Sequence, residues 1–195
     1  MPGSSRHLVA GRSGMGMTMI TIRRELEKDA AAREALLDIG YGCARFGKVS
    51  HQLSKGQHPS AGLAFVACER DRIVGTVRLW DVATGDGCPA LLLGPLTVDP
   101  EHRCRGVGSA LVRRAVETAA RLGHRAVLLV GDAAYYDRFG FSAEKTARLW
   151  LPGHYDPQRF LALELVPGAL DGAHGLMRAT GRPLLMHDQP LPQAA

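Results

Sequence analysis

The sequence predicts an α/β (α+β) protein, with a sheet packed against helices, and three observations carry that expectation. Short runs rich in β-branched and apolar residues recur between residues 19 and 165. Two stretches with helical spacing, over residues 25–42 and 108–122, stand between those runs. The run from Ala126 to Val130 is apolar at every position, as in a strand covered on both faces.

Residues 1–17 are rich in Gly, Ser and Arg and are expected to form a disordered leader before a folded domain spanning 18–167. Met19 to Arg23 is the first strand. Glu25 to Gly42 is helical, with Asp29 as its N-cap and Ala32, Leu36 and Ile39 near one face. Residues 46–59 are irregular apart from a short helix near Val49 to Lys55. Leu63 to Glu69 and Ile73 to Asp81 are strands joined by a hairpin turn at Arg70 and Asp71. After a turn at 85–89, Leu91 to Val98 is a buried strand interrupted by Gly94 and Pro95. Proline has no N–H to give a ladder, so the strand is expected to bulge or splay there.

The helix over 108–122 turns Leu111, Ala115, Ala119 and Leu122 inward and Arg113, Arg114, Glu117 and Arg121 outward, and Gly123 stops it. A short helix over Ala134 to Phe139 follows the Ala126–Val130 strand. Lys145 to Leu151 and Phe160 to Leu165 are the last strands. Beyond Pro167, Gly, Pro, Gln and Ala dominate, and residues 168–195 are expected to be a poorly ordered tail.

Bulk properties narrow the function. The 195 residues suffice for one domain with a real core. A formal charge of +5 and a pI near 9.3 suit an anionic ligand. Nucleic acid is not expected as a partner, because the basic residues are scattered rather than clustered with aromatics. No membrane association is expected either, since no apolar run approaches the roughly 20 residues a span requires. The cysteines at 43, 68, 88 and 104 make no Cys-x-x-Cys pair, and no His-x-x-x-His spacing occurs. Free thiols in a reducing cytoplasm and no metal site follow from that.

The sharpest local feature is the turn from Arg103 to Ser109, which runs from the 91–98 strand into the 108–122 helix. Backbone amides at a helix start have no intrahelical acceptor, and the dipole is positive there. Gly106 and Gly108 let the backbone approach an anion closely, and Arg103 and Arg105 add charge of the right geometry. The pattern suits a phosphate. It departs from the dinucleotide fingerprint Gly-x-Gly-x-x-Gly, because position 111 is leucine and the motif lies mid-chain.

Three pieces, in order, resemble the GNAT superfamily of N-acetyltransferases over residues 18–166. They are Arg103-x-x-Gly106-x-Gly108, the run Leu96-Thr97-Val98-Asp99-Pro100 leading into it, and Tyr136-x-x-x-Gly140-Phe141 after it. The stretch from Leu149 to Pro157 also resembles a bacterial subgroup. The resemblance implies a mixed, mostly antiparallel sheet of six or seven strands flanked by helices. The sheet is splayed between the 91–98 strand and the 126–130 strand, the fourth and fifth in that order, with acetyl-CoA in the gap.

It implies that the amides of Cys104, Arg105, Gly106, Val107, Gly108 and Ser109 hold the diphosphate, with Arg103 beside them. Backbone groups of Leu96, Thr97 and Val98 would pair with pantetheine. Tyr136 would act as general acid toward the departing CoA thiolate, a phenol of ordinary pKa ~10 beside a thiol near ~8.5. Tyr135 is expected mainly to pack.

The acceptor would be a primary amine of a small molecule or a protein. Its pocket would be built from residues 41–59 and 149–156, with a homodimer as a further possibility of the family. No general base stands out, since Ala90 to Val98 holds no carboxylate. Asp81, Asp132 or water are the alternatives, and capping the helix after it is the other role open to Asp132. The rival to an enzyme is a non-catalytic acyl-CoA-binding module on the same fold.

Overall fold

The computed structural model describes residues 7–9 and 19–184. The expected leader lies outside the described residues except for a short strand, β1 (His7–Val9), which pairs antiparallel with β2 (Ile20–Arg24). Then follow α1 (Ala30–Tyr41), α2 (Val49–Ser54), β3 (Ala64–Glu69), β4 (Arg72–Ala83) and β5 (Pro89–Val98). After these come α3 (Val107–Arg121), β6 (Ala126–Val130), α4 (Ala133–Tyr136), β7 (Leu149–Trp150) and β8 (Phe160–Glu164). Two short strands close the chain, β9 (Gly175–Leu176) and β10 (Arg178–Ala179). The main sheet runs β1-β2-β3-β4-β5-β6-β8, with β10 on the far end of β4. Every pairing in it is antiparallel except β5 with β6.

Both faces of the sheet are covered. Phe65 and Ala67 of β3 point to α3, where Leu111, Val112, Ala115 and Ala119 are buried against them. The alternate residues Val66 and Cys68 point to Leu36 of α1. A third cluster joins α2 through Val49 and Leu53 to Trp80, Leu92 and Leu128.

The hairpin turn, the short helix α2 and the 126–130 strand form as the sequence predicts, and Arg70 takes the left-handed backbone that closes the turn. Five expectations are corrected. In α1 the buried face is Arg33, Leu36 and Leu37, whereas Ala32 is exposed and Ile39 is 61% exposed. Gly40 shares that face, and a Cβ there would come 2.2 Å from Thr97 Oγ1, so only glycine lets the helix sit this close to β5. Asp29 does not cap α1 with its side chain. Instead, its carboxylate accepts from the Leu26 amide at 2.8 Å and from Arg23 Nη2 at 2.8 Å.

In α3, Leu122 falls past the last turn and is half exposed, while Gly123 with φ +84° ends the helix as expected. The strand expected over 145–151 shrinks to Leu149–Trp150. Residues Glu144–Thr146 form a 3-10 turn whose Thr146 hydroxyl donates to the carbonyls of Ala143 and Phe160.

The segment after Pro167, expected as a poorly ordered tail, packs as far as it is described. Ala169, Leu170, Ala173 and Met177 are buried in the α2 cluster, and the Glu164 carboxylate accepts from the amides of Gly168 and Leu170. Composition misjudged it because a few small apolar residues suffice to fill that cluster. The remainder, 185–195, lies outside the described residues.

Asp29 offers a test of the α1 entry. Its carboxyl is held below the ordinary 3.8, chiefly by the Arg23 guanidinium and further by the Leu26 amide. A carboxylate with a lowered folded pKa contributes stability that is present above the unfolded value and is lost as pH falls through the folded one. Asp29→Asn is expected to lower stability at neutral pH by about 1–2 kcal/mol. In urea unfolding, the gap between the two proteins should close as pH drops below 3.8.

Candidate active site

The site begins with a parting of two strands. Leu91 pairs with Val127 and Leu92 with Leu128, and there the β5–β6 ladder ends. On its other edge β5 continues along β4, but with a shift. Leu93 faces Leu79 and Leu96 faces Val77, so Gly94 and Pro95 stand opposite the single residue Arg78. This is a β-bulge, and the extra residue bends β5 away from β6. The Trp80 indole N–H donates to the Gly94 carbonyl and fixes the bulge from the α2 side. From Leu93 onward β5 therefore has one edge on β4 and the other on an open cleft.

The cleft leads to the start of α3. Asp99 caps the 3-10 turn Pro100–His102 by accepting from the Glu101 amide at 2.9 Å. Burial raises the Asp99 carboxyl, but that amide, His102 and Arg72 outweigh it and hold the group below its ordinary value. His102 is buried between Asp99 at 3.4 Å and Glu69 at 3.1 Å, a satisfied histidine. Asp99, Glu101 and His102 lie close enough to share a cation, but Arg72 at 2.6 Å already occupies Asp99.

Beyond this anchor, Cys104 and Gly106 take left-handed backbone at φ +59° and +79°, and α3 begins at Val107. Left-handed residues two apart are what an anion nest would need, and these stand at the positive end of a 15-residue helix.

The sequence-predicted residues divide by what they touch. Arg103 and Cys104 are exposed, while Arg105 is half-buried with Nη2 3.4 Å from Glu69. Val107 gives its side chain to the core. A Cβ on Gly108 would stand 3.1 Å from the Tyr135 hydroxyl, and Ser109 Oγ lies 3.4 Å from the same oxygen. Leu96 and Val98 are half-buried against the core, and Thr97 is buried beneath Gly40.

Tyr136 is buried with its ring 5.8 Å from Phe141 and 5.0 Å from Tyr135. Burial, then the nearby Tyr41 and Tyr135 hydroxyls, push its pKa well above 10.0. The phenol is therefore protonated throughout the neutral range.

Sequence reasoning missed Tyr41. Its hydroxyl donates to the Leu96 carbonyl, on the strand segment expected to serve the ligand. Burial raises its pKa, and Arg103 opposes that shift. The only hint in the sequence was a tyrosine at a helix end followed by glycine. The two carboxylates considered as bases are committed elsewhere. Asp132 caps α4 by accepting from the Tyr135 amide at 3.0 Å, and Asp81 accepts from Ser60 at 2.8 Å. A cavity of about 250 Å³ adjoins the cleft at Tyr41 and Pro95. It draws on the expected 41–59 region but on nothing from 149–156.

A bulged strand parting from its parallel neighbour, with an anion nest at the helix that follows, defines the acetyltransferase class of α/β fold. Comparison with known proteins agrees. The sequence profile of the Acetyltransferase (GNAT) domain matches residues 60–143. The Escherichia coli (strain K12) protein YhbS, described as an uncharacterized N-acetyltransferase, is 30% identical over 159 residues, 80% of this chain and 93% of YhbS.

The crystal structure of E. coli YhbS in complex with CoA superposes with a TM-score of 0.71 at 28% identity, covering 87% of this chain and 94% of that one. A Brucella melitensis GNAT acetyltransferase in complex with acetyl-CoA gives 0.62 at 25% identity, covering 83% and 96%. The chain belongs to the GNAT acetyltransferase family.

Gly131 tests how Tyr136 is seated. A Cβ there would fall 2.3 Å from Tyr136 Cε2. Gly131→Ala is expected to displace the Tyr136 ring and to cost about 1–3 kcal/mol of stability as overpacking. Thermal unfolding would register that cost, and a changed near-ultraviolet tyrosine signal would register the displacement.

Proposed function

We propose that this protein is an acetyl-CoA-dependent N-acetyltransferase that moves the acetyl group directly to a primary amine in a ternary complex. The observation that carries the proposal is the parting of β5 from β6, and three features are read with it. These are the anion nest at Cys104–Ser109, the open edge of β5 at Leu96–Val98, and the buried phenol of Tyr136. The CoA and acetyl-CoA bound by the E. coli and Brucella relatives support the same donor.

In this reading the amides of Cys104 to Ser109 and the free guanidinium of Arg103 take the diphosphate. Unpaired β5 groups between Leu96 and Val98 pair with the amides of pantetheine, as an added strand would. The Leu96 carbonyl has two lone pairs, so it can keep the Tyr41 hydroxyl and accept a second donor.

The neutral amine attacks the thioester carbonyl, the C–N bond forms, and the C–S bond breaks. The leaving thiolate takes the Tyr136 hydroxyl proton, and the amine proton passes through water back to the Tyr136 oxygen, which restores the phenol. Burial disfavours the Tyr136 phenolate and the CoA thiolate alike, so neither charged form accumulates in the cleft. Among the described residues no side chain has the setting of a covalent nucleophile, which favours direct transfer. Cys68, Cys88 and Cys104 are free thiols, and among the described residues no helix is long and apolar enough to cross a membrane. Both suit a cytoplasmic enzyme.

Tyr136→Phe is expected to keep the fold and the acetyl-CoA affinity while lowering kcat about 10²-fold. Stopped-flow turnover with thiol detection, beside calorimetric binding of acetyl-CoA, measures both. Unchanged turnover removes Tyr136 as the acid. Binding with no thiol released from any amine would make the chain an acyl-CoA-binding module instead.

A further inference from the structure

The cavity beside the cleft has a charge pattern that the donor does not use. Its apolar floor is Trp80, Pro95 and Leu37, and it meets the β5 edge at Tyr41, whose hydroxyl is bonded to the Leu96 carbonyl. It therefore opens where the thioester end of acetyl-CoA is proposed to lie. Arg45, Lys48, Lys55 and Arg78 line it, against the single carboxylate of Glu34.

Two of these cations are already paired. Arg45 lies 2.7 Å from Glu34 and 3.1 Å from Asp38. Arg78 donates through Nε to Glu25 at 2.9 Å. Burial raises the Glu34 carboxyl, yet the guanidiniums of Arg33 and Arg45 pull it below its ordinary value, so it is ionised and spent on them.

Lys48 and Lys55, which bracket α2 as its N-cap and C-cap, have no acidic partner among the described residues. The Lys48 ammonium sits 4.5 Å over the Tyr41 ring, directed along the wall that leads to Leu96. His51 between them is pushed below its ordinary 6.5 by burial and then by Arg45 and Lys55, so it offers no counter-charge to the lysines.

We infer that this cavity is the acceptor subsite and that it selects an amine carrying an anionic group, carboxylate or phosphate, which Lys48 and Lys55 hold. The inference rests on the acetyltransferase reading. The surplus of two cations repels polyamines and other multiply cationic acceptors and attracts acceptors whose second group is negative. The aromatic wall of Tyr41, Phe46 and Trp80 accommodates an apolar spacer between the two groups.

The test compares length-matched primary amines, with acetyl-CoA as donor and released CoA thiol as readout. The sets are ω-amino carboxylates, aminoalkyl phosphates, plain alkylamines and diamines, with α-amino acids beside their amides. One or both anionic sets should exceed the neutral amines and diamines in kcat/KM by about tenfold or more. Whichever set leads names the anion.

In Lys48→Glu/Lys55→Glu the order should invert toward diamines, while acetyl-CoA affinity stays within about twofold, since both substituted side chains are exposed and belong to the acceptor side. Neutral amines or diamines leading in the unmodified protein would overturn the inference and leave an acetyltransferase. So would an order unmoved by the double substitution. Acetyl-CoA binding with no amine of any set releasing thiol would overturn the acetyltransferase reading itself.

Discussion

The structure turns on the departure of β5 from β6 after Leu92. A parallel pair buried on both faces would ordinarily continue, because every unpaired backbone group left in the interior is costly. Here Gly94 and Pro95 oppose one residue of β4, Pro95 has no N–H to give, and the strand bends away with one edge unladdered. Two side chains are bonded along that stretch of β5. The Trp80 indole secures the bulge from one face, and the Tyr41 hydroxyl takes one of the exposed carbonyls from the other side. The rest of that edge is left without a strand partner, which is why the proposed function pairs it with a strand-like ligand.

The charges around α1 serve the same edge. Glu25 is buried between Arg33 and Arg78, and burial raises its carboxyl despite the Arg33 guanidinium. A buried pair of that kind contributes little net stability and much geometric definition. It ties the start of α1 to the bulge residue Arg78, so that Gly40 meets Thr97 and Tyr41 reaches Leu96. On the opposite side of the turn, Glu69, His102, Asp99 and Arg72 form a second ionic chain that anchors the descent into α3. Arg105 is held by Glu69 in that chain, which leaves Arg103 as the freer of the two arginines.

How legible each part was depended on how local its cause is. The hairpin at Arg70, the stop at Gly123 and the cap at Asp132 are each set by a few adjacent residues, and each was readable. The face of α1 was not, because its core position 33 holds an arginine. Apolar spacing cannot anticipate an arginine buried by Glu25, which lies eight residues earlier in the chain. The strand expected over 145–151 failed for a similar reason, since the Thr146 hydroxyl finds the Phe160 carbonyl across the fold. The packed segment after Pro167 depends on a cluster assembled from α2, β4, β5 and β6.

The sequence by itself determined the turn proposed to hold the donor. An anion nest needs only a short run of chain, with Gly106 and Gly108 free to turn and α3 behind them, so Arg103 to Ser109 is legible as text. It also determined that Leu91–Val98 would break, because proline's missing N–H is a property of one residue. Only the tertiary structure assembled the cavity proposed for the acceptor. Tyr41, Lys48 and Lys55 fall in the 41–59 region that the sequence pointed to, but Arg78 and Trp80 come from β4, and the cavity they share exists because α1 and α2 fold over the bulge. Pairing of the arginines with Glu25 and Glu34, which leaves two lysines unmatched, is a sum over contacts that no local pattern contains.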